Sequence, residues 1–427
     1  TSIKIPNTVT SIGKRAFQGC TNLTSIEIPD TVTYIGDYCF SGCNRLQKIK
    51  LSKKIQTINT RLLQGCSSLT EIEIPEGVKS INYGAFNSCN KLTTITLPAS
   101  LTSLSGAAIA RLNRLTEVKI ADGNNSFKFE NGILLSKDGK TMYMALLTLT
   151  EINVPNGVVN IIVDTLSGSS ATKIILPDTV SSNLSGNVFA GMNKLTKIEL
   201  SSTSKNLKLV DGNLYSYDGK RFIKYMGTSK IFTVPEGVET LCPGCITKSM
   251  TTLNLPSTLK VIDGWSLTGV SGVKLLNIPA SVTTMYTYSF SADTKLRVAE
   301  GNSTYKSIDD VLILNKAGTK VMMANRNATT YNIPNTVTEI GKNAFYGCSK
   351  ITSITIPDSV TTIGAGAFES CSSLTEITIP QSVTSIGSDA FVYCGKLMAI
   401  NIKGEEGRIS GGPWGAQYGN RVINWNV

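Results

Sequence analysis

One phrase recurs through this chain and limits what the chain can fold into. Residues 26–43 read IEIPDTVTYIGDYCFSGC, 72–89 read IEIPEGVKSINYGAFNSC and 354–371 read ITIPDSVTTIGAGAFESC. Aligned on proline, the copies fall at Pro6, Pro29, Pro75 and Pro98, with Ser52 in the proline slot between them, at a step of 23 residues. Further copies are marked by Pro155, Pro177, Pro235, Pro256, Pro279, Pro334, Pro357 and Pro380. A fixed period of this length is the mark of a solenoid, whose units bury their apolar edges only against their neighbours.

Within one unit the pattern is L-x-x-I-x-I-P-x-x-V-x-x-I-G-x-x-A-F-x-x-C. The I-x-I alternation, as at Ile26 and Ile28 or Ile377 and Ile379, has the period of a short strand with one buried face. Proline ends the strand because it cannot donate to a ladder. Val32 and Ile35 lie three apart, which predicts a short helical or 3-10 turn across the coil. The fold class expected is therefore a repeat solenoid of about 17 coils, with a parallel short-strand sheet on one face.

Three interruptions share a design: FKFENGILLSKDGKTMYMAL at 127–146, LKLVDGNLYSYDGKRFIKYM at 207–226 and YKSIDDVLILNKAGTKVMMA at 305–324. Each carries two apolar runs around a turn. Asp138-Gly139 and Asp218-Gly219 are strong hairpin signals because Gly tolerates positive φ, and Ala317-Gly318 is a weaker one. Read as inserted β-hairpins, they divide one continuous solenoid into repeat blocks at 1–121, 151–202, 232–300 and 331–403. The inserts take 122–150, 203–231 and 301–330. The tail at 404–427 leaves the repeat, and its Trp414 and Trp425 suit a cap over the last coil.

The phrase resembles the BspA-like leucine-rich repeats, a class found in bacterial surface proteins and in some protozoan parasites. Leu23, Ile26, Ile28, Pro29, Val32, Ile35, Gly36, Phe40, Gly42 and Cys43 occupy the consensus positions of that family. The resemblance runs through nearly the whole chain. It implies an adhesin or ligand-binding protein, secreted to or held at a bacterial cell surface. The opening TSIKIPNTV lies inside a copy of the phrase, without Met or a signal region. A mature product or an excised segment is expected. No apolar run reaches the roughly 18–20 residues of a membrane span, so none is expected in this segment.

Histidine is absent, which removes the commonest general base and metal ligand. There is no G-x-S-x-G and no phosphate-binding loop, and carboxylates are adjacent only at Glu405-Glu406 and Asp309-Asp310. No catalysis, cofactor or metal is expected. Cys20, Cys43, Cys66 and Cys89 stand 23 apart, as do Cys348, Cys371 and Cys394. Their shared phase favours small apolar fillers of one interior slot over disulfides or a metal site. Cys39 takes an alanine slot and also reads as core. Cys242 and Cys245 form a lone C-x-x-C within an ordinary coil, open to a local disulfide or to two buried thiols.

The net charge is +11, which attracts polyanions, but the lysines are dispersed and serve a solubilising surface equally well. No nucleic-acid motif is present. The outward residues of the strands are Lys4, Glu27, Lys50, Glu73, Thr96 and Lys119, then Asn254, Asn277, Asn332, Thr355, Thr378 and Asn401. The first set predicts cross-strand charge pairs; the second offers neutral hydrogen-bonding groups for a ligand or for the sheet itself. Tyr215, Tyr217, Phe222 and Tyr225 concentrate aromatic rings in the second insert. They form either a ligand-binding patch or packing against the coils. The expected function is a non-catalytic extracellular scaffold that recognises a protein or glycan of a host or neighbouring cell. A structural spacer presenting other modules is the alternative.

Overall fold

In the computed structural model, residues 2–410, 412, 414, 415 and 422–426 are described. Two compact units divide the chain, Thr1–Asp218 and Gly219–Val427. Both are β-solenoids of parallel strands.

In the first unit, Ser2–Lys4, Ser25–Glu27 and Lys48–Lys50 pair in parallel with Ile3, Ile26 and Ile49 in one register. The repeat step is thus the ladder step. A second ladder runs through the x-I-G positions: Ser11–Ile12 pairs with Tyr34–Ile35, and Thr57–Ile58 with Ser80–Ile81 and then Ser103–Leu104. The third side is made by turns. There Phe17 N–H donates to the Cys39 carbonyl at 2.9 Å, Phe40 to Leu62 at 3.0 Å and Phe86 to Ala108 at 2.8 Å.

The turns differ from a continuous helix. They carry three-residue hydrogen bonds, such as Gln18 to Arg15 at 3.1 Å and Cys20 to Phe17 at 3.2 Å. Yet Arg15, Tyr38 and Arg61, one slot in successive coils, have φ of 61°, 58° and 52°. A left-handed residue cannot propagate a right-handed helix. Among the described residues, 3-10 helix forms only at Gly186–Phe189 and Thr287–Ser289.

The Ser or Thr two residues after proline also has a fixed task. Its hydroxyl donates to the valine carbonyl of the preceding coil: Thr31 to Val9 at 2.8 Å, Ser100 to Val78 at 2.9 Å, Ser359 to Val337 and Ser382 to Val360 at 2.7 Å. This explains Ser52. In that coil Lys54 occupies the hydroxyl slot, and Ser52, fully buried in place of proline, donates to Val32 at 2.5 Å instead.

The inserts are built into the second ladder. Phe127–Glu130, Ile133–Ser136 and Thr141–Ala145 form an antiparallel meander, and Thr141–Ala145 then pairs in parallel with Asn160–Ile161. The turn at Asp138-Gly139 comes with a register shift between Leu134 and Leu135. A tighter turn precedes it, at Asn131-Gly132, with φ of 51° and 76°, the two positive values a type I′ hairpin requires. In the second insert Leu207–Val210 pairs with Asn213–Ser216 around Asp211-Gly212 in the same way.

In the second unit Arg221–Lys224 opens a ladder that continues through Thr240–Leu241, Val261–Ile262 and Thr284–Met285. The third insert is again a meander, Tyr305–Ile308, Leu312–Asn315 and Lys320–Ala324, leading into Glu339–Ile340, Thr362–Ile363 and Ser385–Ile386. Phe345, Phe368 and Phe391 stack along the core at 5.2 and 5.7 Å, with planes within 8°. The tail keeps the coil geometry after the phrase has gone. Val422–Trp425 pairs in parallel with Ala399–Ile402, Ile423 opposite Ile400. Trp414 is buried, and Trp425 packs at the edge of the same core.

All ten cysteines are free thiols, nine of them buried. Cys43, Cys66 and Cys89 donate to the carbonyls of Phe17, Phe40 and Leu63, one coil back, at 3.1–3.3 Å. Burial pushes Cys39 up to about 12 and Cys43 to about 11. Thiolate is the reactive form, so native alkylation will proceed at Cys20 alone, with the other nine labelled after unfolding. Rapid native labelling of several thiols would refute the interior-slot assignment.

Candidate functional site

The strand face carries open grooves in both units. In the first, one groove lies over Ser2–Lys4, Ser25–Glu27 and Lys48–Lys50, with Lys4, Glu27, Asp30, Lys48 and Lys50 on its walls. A second lies at the next step, between 48–53 and 71–76, lined by Lys48, Lys50, Lys53, Glu71, Glu73 and Glu76. Here the strand ladder lapses. Residues 71–74 join no strand, although Ile72 and Ile74 still point into the core and Ser80–Ile81 keeps the second ladder unbroken behind them. The coils therefore open toward the strand side.

The same lapse occurs in the second unit. Residues 331–334 and 353–357 join no strand, while Glu339–Ile340, Thr362–Ile363 and Ser385–Ile386 remain paired. Two grooves follow, one lined by Thr330, Tyr331, Asn332, Asn335 and Thr355, the other by Ser353, Thr355, Glu376, Thr378 and Lys403.

The charges of the first unit are partly self-satisfied. Lys50 Nζ lies 2.5 Å from Glu27 and Lys48 3.7 Å from Glu71. These pairs are exposed and screened by solvent, so they add little to stability. In the second unit Asn332, Thr355 and Thr378 present neutral groups, while Asn424 Nδ2 donates to Asn401 Oδ1 at 2.8 Å.

Of the four aromatic residues of the second insert, Tyr215 and Tyr217 belong to the first unit and Phe222 and Tyr225 to the second. Tyr217 is 56% exposed. Tyr215 is buried, and burial, reinforced by Asp211, pushes its phenol up to about 12. Its strand Asn213–Ser216 is buried on both faces, so alternation could not tell its inward residues from its outward ones. In the second unit Phe222 and Tyr225 come together around Phe232, with ring centroids 5.4 and 4.6 Å away, and Tyr225 Oη donates to the Ser229 carbonyl at 2.9 Å. A different aromatic cluster stands in that unit, where an exposed Trp265 joins the half-buried Tyr288 and Tyr346. Local density could not find it. The 23-residue step from Trp265 to Tyr288 is the signal that a search by repeat phase would have caught.

Cys242 and Cys245 are separate buried thiols. Lys224 is the buried cation: its Nζ donates to the Gly244 carbonyl at 3.3 Å and to Thr247 Oγ1 at 3.0 Å, and burial pulls it down to about 8. Among the described residues, no three His, Cys, Asp or Glu side chains gather as a metal site. No helix among them is long and apolar enough to cross a membrane.

A family model described as a BspA type leucine rich repeat region (6 copies) matches residues 1–128, 137–217, 220–324 and 315–411. No curated protein matches the chain. Among solved structures, a leucine-rich repeat protein from Eubacterium ventriosum is 19% identical, covering 92% of this chain and 82% of that one at a TM-score of 0.42. One from Bacteroides ovatus is 21% identical, covering 99% and 91% at 0.32. A leucine rich cell surface protein from Faecalibacterium prausnitzii is 23% identical, covering 95% and 89% at 0.31.

Proposed function

The chain belongs to the BspA-type leucine-rich-repeat family, and from that premise we propose that it is a binding scaffold of a bacterial cell surface, holding a protein or glycan along its strand face. The repeat scaffold of this family is typically non-catalytic. The observation that carries the reading is the lapse of strand pairing at 71–74 and 353–357, with grooves at those steps. A sheet built only to hold itself together gains nothing by leaving these strands unpaired, since unmet backbone groups forgo ladder bonds. Grooves lined by a few convergent polar groups are the ordinary form of recognition surfaces.

A spacer that presents other modules, with no ligand of its own, is the second reading. It is favoured by the Lys50–Glu27 pair, which meets its own charge needs.

The test is a binding screen of the 1–427 chain against a glycan array and a panel of matrix proteins, at physiological and raised salt. We expect a salt-resistant ligand whose binding is lost in Thr355→Arg/Thr378→Arg, which fills the groove of the second unit, and kept in Tyr217→Ala. Loss in Tyr217→Ala alone would move the site to the second insert. A hit that vanishes with salt reflects diffuse positive charge, and no hit at all favours the spacer.

A further inference from the structure

On the turn side of the first unit, cations lie over aromatic rings. The Arg15 guanidinium carbon is 5.2 Å from the Tyr38 ring centroid; that of Arg61 is 5.5 Å from Tyr38 and 5.4 Å from Tyr83. Arg61 Nη1 also donates to Tyr38 Oη at 3.0 Å. The spacing of stacked coils thus suits the alternation of a guanidinium with a phenol ring.

In the second unit the same slot holds Trp265, also left-handed with φ of 61°, and Tyr288 one step on. Their rings stack at 5.3 Å with planes 13° apart, and Tyr346 meets Tyr288 edge-on at 4.6 Å. Trp265 remains 49% exposed. Beyond the rings come carboxylates. Gly347 N–H donates to the Glu369 carbonyl at 2.8 Å, which sets Glu369 one coil beyond Tyr346, and Asp389 lies one coil further. A methyl group on Gly366 would press on Asn343 Oδ1 and lie 3.3 Å from Glu369 Oε2. Two acceptor oxygens therefore converge over a backbone that has no side chain there.

Among the described residues neither Glu369 nor Asp389 forms an ion pair. Burial, then the Asp389 charge, raises Glu369 above the ordinary carboxylate value. Arg326, whose stem passes Gly347, gives its guanidinium to the Phe290 carbonyl. Among the described residues, no cation is set over these rings as arginine is over Tyr38 and Tyr83 in the first unit.

We propose that Trp265, Tyr288, Tyr346 and Glu369 form a receptor for a guanidinium group, the arginine side chain of a partner's peptide segment. Aromatic faces attract cations. The planar guanidinium both stacks on a ring and forks onto a carboxylate, which the compact lysine ammonium does not. A sugar would stack on Trp265 but leave the half-buried Glu369 charge unmatched. The site is on the turn side, so its fate is separate from that of the strand-face grooves.

The test follows tryptophan emission of the full chain titrated with acetyl-Gly-Arg-Gly-amide. The controls are the same peptide with citrulline, the neutral isostere of arginine, and a neutral trisaccharide. We expect saturation on the order of millimolar for a single arginine, and about tenfold weaker binding of the citrulline peptide. Glu369→Gln, isosteric and fold-preserving, should weaken the arginine peptide by about the same factor, and Trp265→Ala should abolish its response. The proposal falls if citrulline binds equally, if only the trisaccharide saturates, if no titrant saturates, or if Glu369→Gln binds arginine as before.

Discussion

Phe368→Ala will destabilise the second unit by about 3–5 kcal/mol. The ring is fully buried and stacked on both sides, 5.2 Å from Phe345 and 5.7 Å from Phe391. Truncation removes its transfer energy and both aromatic pairs, each worth about 0.5–1.5 kcal/mol beyond area. It also leaves a cavity that the fixed coil spacing cannot close. For a unit of this size the melting temperature should fall by roughly 10 °C. In a repeat array such damage interrupts the coupling between neighbours, so the urea transition should also broaden. Phe17→Ala is the control, since Phe17 is half-buried and stacks on Phe40 alone. A Phe368 variant no worse than the Phe17 variant would show that the aromatic stack is not a main source of stability.

A comparable loss is expected at a polar residue. Asn302 is fully buried where the chain enters the third insert. Its Nδ2 donates to the Pro279 and Val282 carbonyls at 3.1 and 2.8 Å, and its Oδ1 accepts from Thr304 and Tyr305 N–H at 2.8 and 2.7 Å. Asn302→Ala strands four backbone groups at once, costing at least about 3 kcal/mol. Asn302→Asp keeps the shape but aims a carboxylate at two carbonyls. Its folded pKa must then lie above the unfolded one, so this variant should recover stability relative to the parent as pH falls through that folded value. Urea denaturation at pH 7 and pH 4 measures both effects. Equal penalties for the Asp variant at the two pH values would sink the assignment of donor and acceptor.

Asn302 and Asn124, which makes the same bonds at the first insert, stand outside the repeated phrase in the sequence. Their structural task was invisible because their partners lie 20 to 26 residues back. The solenoid itself was legible, since an identical slot every 23 residues can be satisfied only by stacking. So was the thiol ladder, from shared phase. The inserts are half legible: Asp138-Gly139 stands out, while Asn131-Gly132, an equally strong turn signal, is hidden between apolar runs. Which aromatic residues of the second insert point inward was not legible, because a strand buried on both faces erases alternation. The ring platform at Trp265 was scattered in sequence and gathered only by the coil period.

The gap in the strand ladder has a mechanical meaning. Within the first unit, a pull along the stacking direction loads every bond between adjacent coils at once. The step from Leu51 to Ile74 resists with its second ladder and turns but with no strand bonds on the I-x-I side. It is a weak seam under tension, and it would hinge open on its unpaired strand side. The groove at that seam would widen as the coils part.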